Sequence, residues 1–413
     1  MKVWFKLLVG AVLGIVLAQF LPVDNSFLSD MLEWLRSVAI RIGRWTVVPL
    51  LIFSLSSAIF RLRDDKDKNF FLLLIQSCFF MICISAVLIA FGIIASALFS
   101  PSRIPIFIEE RSPLPQLDTV RTLIDNIPDN MLAVLSINGD YLLPVCLFSF
   151  LSAIGFSLVE RTVARQVLNL FDSLSRIFYA VAGFISEFLG LLMLVLAASW
   201  AIQWKTLVQP EFFSNLIIFL AILSGIIIFG FFPLLLYITY PKVNPFIVLY
   251  SSFASILTGF FSGDINFSLP IIMRHSKENL GVRRRSNVCT TALFALFGRS
   301  GSAMVAVVAF LVILKSYSSL ELRFIEQLTI GIQALAASFL LARHPGDGAY
   351  TTLMLLCLWY GRGYESGFLI IKPIAFYLIA LGTCLDVFVI SCATFILSKK
   401  TSFQEMKHLR KFI

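Results

Sequence analysis

"VNPFIVLYSSFASILTGFFSGDINFSLPIIM", Val243 to Met273, decides the fold of this chain. Val243 to Gly263 carries no Asp, Glu, Lys or Arg and is long enough to cross a bilayer, which takes ~20 residues. "SGDINFSLP" (262–270) then cuts the run, which resumes only to Met273, so a second crossing does not fit. The stretch reads instead as a re-entrant hairpin: two short helices meeting at a polar tip that holds Gly and Pro. Non-helical backbone at membrane depth survives only where protein buries it or a wet cavity borders it. A second stretch behaves alike, since Gln327 to Ala342 is cut at "RHPGDG" (343–348) and resumes from Ala349 to Tyr360. Each hairpin precedes one long apolar helix, so the unit occurs twice, at about 243–314 and 324–397. Internal repeats with broken segments are the pattern of a secondary transporter, and the breaks point at its solute site.

Working outward, apolar runs predict helices near 3–22, 37–61, 69–99, 141–159, 172–203 and 212–240, with two more near 287–314 and 364–397. The expected fold class is an all-α polytopic membrane protein with eight transmembrane helices and two re-entrant hairpins. Composition excludes a soluble domain. Of 413 residues, 59% are hydrophobic and 14% charged, which is more apolar surface than a soluble fold can hide.

The net charge of +9 would suggest nucleic acid in a soluble protein. Here the basic residues sit mainly in short loops, where the positive-inside rule accounts for them. "RLRDDKDK" (61–68), "ERTVAR" (160–165), Lys242, "RHSKENLGVRRR" (274–285) and the tail "KKTSFQEMKHLRK" (399–411) fall on one side. The acidic "VDNSFLSDMLE" (23–33) and "IEERSPLPQLDTVRTLIDNIPDN" (108–130) fall on the other. This alternation places both termini in the cytoplasm, with the first hairpin entering from there and the second from outside. Met1 to Leu21 begins with Lys2 and Lys6 and reads as a retained first helix, because no clean cleavage site follows. The seven cysteines lie in apolar segments with no metal or redox spacing. No nucleotide fingerprint or metal motif is present, no cofactor or nucleic-acid partner is expected, and no nucleophile–base pair suggests an enzyme.

Three stretches carry a resemblance to a known family: "DNIPDNMLAVLSINGDYLLPVCLFSFLSAIGFSL" (125–158), "SLPIIMRHSKENLGVRRR" (268–285) and "HPGDG" (344–348). The chain resembles the dicarboxylate/amino acid:cation symporters, the glutamate-transporter family, over essentially its whole length. The resemblance implies a homotrimer and an elevator mechanism. Residues 1–70 and 100–240 would form mainly scaffold. The transport core would be hairpin 243–273, helix 287–314, hairpin 324–360 and helix 364–397, joined by helix 69–99, with 398–413 a basic tail.

The site chemistry departs from that family. Its serine-rich first tip is replaced by Asp264, Ile265, Asn266, Phe267 and Ser268. Its sodium-holding Asn-Met-Asp-Gly-Thr turn, anchored on Gly301, becomes Gly298, Arg299, Ser300, Gly301 and Ser302. Anchored on Asp386, the acid the family uses for sodium, the family's Asp, Arg, Thr and Asn fall on Ala375, Leu378, Ile379 and Gly382. The second tip keeps Pro345, Gly346 and Gly348 beside Arg343, His344 and Asp347.

Arg299 interrupts "ALFALFGRSGSAMVAVVAFLV" (292–312), and a guanidinium at that depth costs ~2.5–3.5 kcal/mol unless it faces protein or water. Asp386 is the expected partner. Three readings stand: a built-in surrogate for a coupling cation, a clamp for a substrate carboxylate, or a structural ion pair. Asp264 is a ligand for a substrate ammonium, a proton carrier or a helix cap, Asp347 a ligand or a turn residue; Arg36, Arg41 and Arg44 are given no role beyond snorkelling. The candidate solute site is Asp264, Asn266, Ser268, Arg299, Ser302, Pro345, Gly346, Asp347 and Gly348, with Asp386 and Arg299 as the cation or proton site. The expected activity is transport of an amino acid or dicarboxylate across the plasma membrane, with sodium coupling doubtful and a proton the other candidate. The alternative is a transport-dead or anion-conducting homologue.

Overall fold

The structure, a computed structural model, describes residues 2–22, 26–64, 69–99, 101–105, 141–207, 209–317 and 323–401. The acidic segment 108–130 and the basic tail beyond 401 lie outside the described residues. The described chain is helical nearly throughout. Its helices are α1 (Val3–Phe20), α2 (Ser26–Arg44), α3 (Val47–Asp64), α4 (Asn69–Leu98), α5 (Leu143–Leu158), α6 (Arg161–Lys205) and α7 (Ser214–Thr239). They continue as α8 (Pro245–Ser262), α9 (Ile265–Glu278), α10 (Arg284–Phe297), α11 (Ser300–Tyr317), α12 (Phe324–Leu340), α13 (Gly348–Tyr360) and α14 (Ala375–Thr401).

Several boundaries correct the sequence reading. The helix expected at 37–61 is two, because the chain turns at Trp45–Thr46 between α2 and α3. The helix expected at 172–203 starts at Arg161, so "ERTVAR" is mostly helix rather than loop; charged residues end a membrane span without ending hydrogen bonding. The helix expected at 287–314 breaks at Gly298–Arg299. Within α7 the chain widens into a π turn at Ile227–Phe231, just before Pro233, which cannot donate to the carbonyl four residues back.

Among the described residues eight helical stretches are long and apolar enough to cross a membrane. The count equals the expected one, but the set does not: it includes Pro245–Ser262, expected as the first arm of the first hairpin, and omits Leu143–Leu158.

Burial orders the bundle. Every residue from Ser300 to Leu314 of α11 is buried, as is α14 from Ala380 to Ser398, whereas α4 and α6 turn large apolar side chains outward, Phe79 at 69% and Leu191 at 69% exposed. Outer helices in water would hide such groups; here they suit lipid. The α11–α14 pair is the centre, surrounded by α4, α8, α10 and α13. Elsewhere α1 crosses α6 so closely that a Cβ on Gly10 would lie 2.0 Å from the carbonyl oxygen of Gly190 and one on Gly14 2.2 Å from that of Leu194. Gly10 and Gly14 form a small-xxx-small contact of the kind that lets membrane helices touch backbone to backbone.

The two hairpins are α8–α9 and α12–α13. Gly263 ends α8 with φ +65°, and its N–H caps the carbonyl of Gly259 at 3.0 Å. A left-handed residue there favours Gly. The other tip is a 3-10 turn, Leu341–Arg343, followed by His344 to Asp347. The tips meet: Ile265 N–H donates to the carbonyl of Pro345 at 3.2 Å.

Candidate functional site at the hairpin tips

The break at Gly298–Arg299 frees the first turn of α11, whose backbone amides need acceptors. Asp386 supplies them from α14. Its Oδ1 accepts from Gly301 N at 2.7 Å and Ser302 N at 3.1 Å, and its Oδ2 from Ser302 Oγ at 2.5 Å. A helix N-terminus favours the negative charge placed there. Gly301 permits the approach, since a Cβ would lie 2.3 Å from Leu385 Cβ.

Arg299 sits beside that carboxylate, its Nε 3.3 Å from Asp386 Oδ2. Its Nη2 donates to the carbonyls of His344 at 2.9 Å and Pro345 at 3.2 Å. The side chain is 1% exposed and heads the fully buried side chains by volume. One guanidinium therefore ties the helix break, α14 and the second hairpin tip together. Gly348 makes room for it, because a Cβ would lie 2.4 Å from Nη2.

Asp264 occupies the first tip. It caps α9 by accepting from Phe267 N at 3.1 Å and is ion-paired with Arg44 at the end of α2. This corrects the reading of Arg44 as a snorkelling residue: it holds a carboxylate that is 1% exposed. Gly346 of the second tip lies against this pair, its Cβ position 3.8 Å from Asp264 Oδ2. Ser268 Oγ donates to the Asp264 carbonyl at 3.3 Å, Asn266 is buried, and Thr383 Oγ1 of α14 donates to the Gly263 carbonyl at 3.2 Å.

Asp347 goes elsewhere. It is exposed and lines a cavity of about 180 Å³ between the tips and α6. Arg36 of α2, Gln203 of α6 and Gly263 of the first tip share its wall. Trp200, Phe260 and Phe376 form an aromatic side, with Trp200 centred 5.3 Å from Phe260 and 5.9 Å from Phe376. Trp200 Nε1 is buried with no hydrogen-bond partner among the described residues.

Arg299, Ser302, Asp386, Pro345 and Gly348 thus form one buried cluster, Asp264, Asn266, Ser268 and Gly346 a second one beside it, and Asp347 opens onto the cavity. Sequence reasoning missed Arg36, Arg44, Trp200 and Gln203. The amphipathic pattern of α2 was the available signal for the arginines, but it does not say what the helix packs on. No His/Cys/Asp/Glu group suited to a metal is found among the described residues.

Comparison with known proteins finds transporters of amino acids among the similar sequences. The chain is 24% identical over 220 residues to the human neutral amino acid transporter A, covering 53% of this chain and 41% of that protein. It is 30% identical over 137 residues to an excitatory amino acid transporter of Onchocerca volvulus, covering 33% and 27%. The bovine excitatory amino acid transporter 1 matches at 25% over 226 residues, covering 54% and 40%. The aligned stretches span less than half the length of each of these relatives. The model of the sodium:dicarboxylate symporter family matches residues 3–400, and the chain belongs to that family of transporters.

Proposed function

We propose that the chain is a secondary transporter of a small polar solute, working as an elevator-type homotrimer in the plasma (inner) membrane with both termini cytoplasmic. The loop charges support that orientation, and α8–α9 and α12–α13 are read as re-entrant hairpins. The observation that carries the reading is the cavity at the joined tips, about 180 Å³, with Arg36 and Asp347 in one wall set. A guanidinium and a carboxylate match the carboxylate and ammonium of a zwitterion. A dicarboxylate would meet Asp347 as a like charge. The cavity therefore favours an amino acid over a dicarboxylate.

The test is uptake by proteoliposomes of labelled amino acids and dicarboxylates, with and without a pH gradient, which also tests proton coupling through Asp264 or Asp386. Uptake of an amino acid is expected. Asp347→Asn and Arg36→Gln should each raise the apparent KM at least tenfold, about 1.4 kcal/mol of binding. Folded protein that takes up nothing in either panel sinks the transporter reading.

A further inference from the structure

We propose that Arg299 is the resident cation of this transporter: its guanidinium fills the oxygen cluster in which a sodium symporter would hold a coupling ion, so the chain works without sodium. The inference rests on the transporter reading above and concerns its coupling ion.

Three oxygens converge on the guanidinium, Asp386 Oδ2 at 3.3 Å from Nε and the carbonyls of His344 and Pro345 at 2.9 and 3.2 Å from Nη2. Carbonyls of unwound backbone are ligands that broken-helix transporters offer to Na⁺, and the Asp386 carboxylate beside them adds a charged oxygen of the kind that hard cations take. Sodium does not fit here as the residues stand. Arg299 is 1% exposed and packs so tightly on the second tip that even a Cβ at Gly348 would come within 2.4 Å of it. Asp386 already accepts three hydrogen bonds from α11 besides facing the guanidinium. A second cation would enter a site whose negative charge is neutralised and whose carbonyls are in use.

The same geometry disfavours Arg299 as a clamp for a substrate carboxylate. Nη2 is committed to the tip carbonyls, and an incoming carboxylate would lie against Asp386. A cation fixed to the chain cannot dissociate, so the bond between the second tip and α14 does not depend on an ion gradient.

The experiment uses the purified full chain in detergent and sodium alone as the probe. Thermal unfolding is followed along a titration of sodium chloride against choline chloride at constant ionic strength. The wild type is expected to unfold at the same midpoint throughout. Arg299→Ala, with the guanidinium gone and Asp386 in place, is expected to gain a saturable, sodium-specific rise, as mass action requires of a site filled only in the folded state. Arg299→Lys keeps a positive charge and should stay indifferent. A wild type that sodium stabilises saturably overturns the proposal, and that arm needs no variant to fold; a folded Arg299→Ala chain that ignores sodium overturns it too. No solute enters this assay, so a failure of uptake refutes the transporter reading without touching this result.

Discussion

Asp264 does two jobs that substitutions can separate. Its side chain caps α9 and pairs with Arg44. Asn caps a helix about as well as Asp, whereas Ala does not, a difference of ~1 kcal/mol. Asp264→Asn should therefore remove the ion pair alone, and Asp264→Ala should lower stability by about 1 kcal/mol more, read from chemical denaturation of the purified protein. Removing one partner of a buried pair costs ~3–5 kcal/mol because the other charge is stranded. Asp264→Asn strands Arg44, which is partly exposed at 15% of its side chain, so its loss is expected below that range, whereas Arg44→Ala strands a carboxylate that is 1% exposed and should fall within it. Equal losses for the Asn and Ala variants at Asp264 would show that the cap contributes nothing.

The elements are placed by glycines that let backbones and side chains approach. Gly348 opens α13 where Arg299 Nη2 lies 2.4 Å from its Cβ position. Gly348→Ala forces the guanidinium to shift, at a cost of roughly 1–3 kcal/mol typical of overpacking. In Arg299→Ala the closest clash is gone and only the approach to Ser302 Oγ at 2.9 Å is left, so the double variant should be less destabilised than the two single losses combined, a coupling that a double-mutant cycle reads directly. Additive losses would mean that Gly348 matters for its backbone and not for the space it leaves. Gly10 plays the corresponding part at the α1–α6 crossing. Gly10→Val should separate those helices and lower the unfolding temperature, while the same change at Gly155, which has nothing within 4 Å of its Cβ position, should be mild.

For the whole molecule, the proposed elevator requires the tips, with α11 and α14, to move against the elements outside the core. Arg44 and Arg36 belong to α2 and Trp200 and Gln203 to α6, so the Arg44–Asp264 pair and the cavity both lie across that boundary. The pair must break if the core slides. Arg44→Gln is therefore expected to raise the uptake rate relative to solute affinity, read as kcat against KM in proteoliposomes. Native mass spectrometry should find three 46.3 kDa chains together; a monomer would remove the trimer from the proposal.

What the sequence determined by itself are the properties that are local. Apolar runs set the spans, because the cost of placing polar groups in hydrocarbon is counted residue by residue. The polar interruptions at 262–270 and 343–348 marked the tips for the same reason, and Arg299 announced that it needed a partner because an isolated charge at that depth is expensive. The resemblance named the family but left the boundaries blurred. The resemblance put a turn at 298–302, but only tertiary structure fixed the break of α10 from α11 at Gly298–Arg299, since Gly298 and Ser300 sit as comfortably inside an apolar run as at its end. It alone gave Arg44 a carboxylate and Arg36 a cavity. Those partners lie 220 and 311 residues away in the chain, and contacts at such separation are made by packing, which no window of sequence contains.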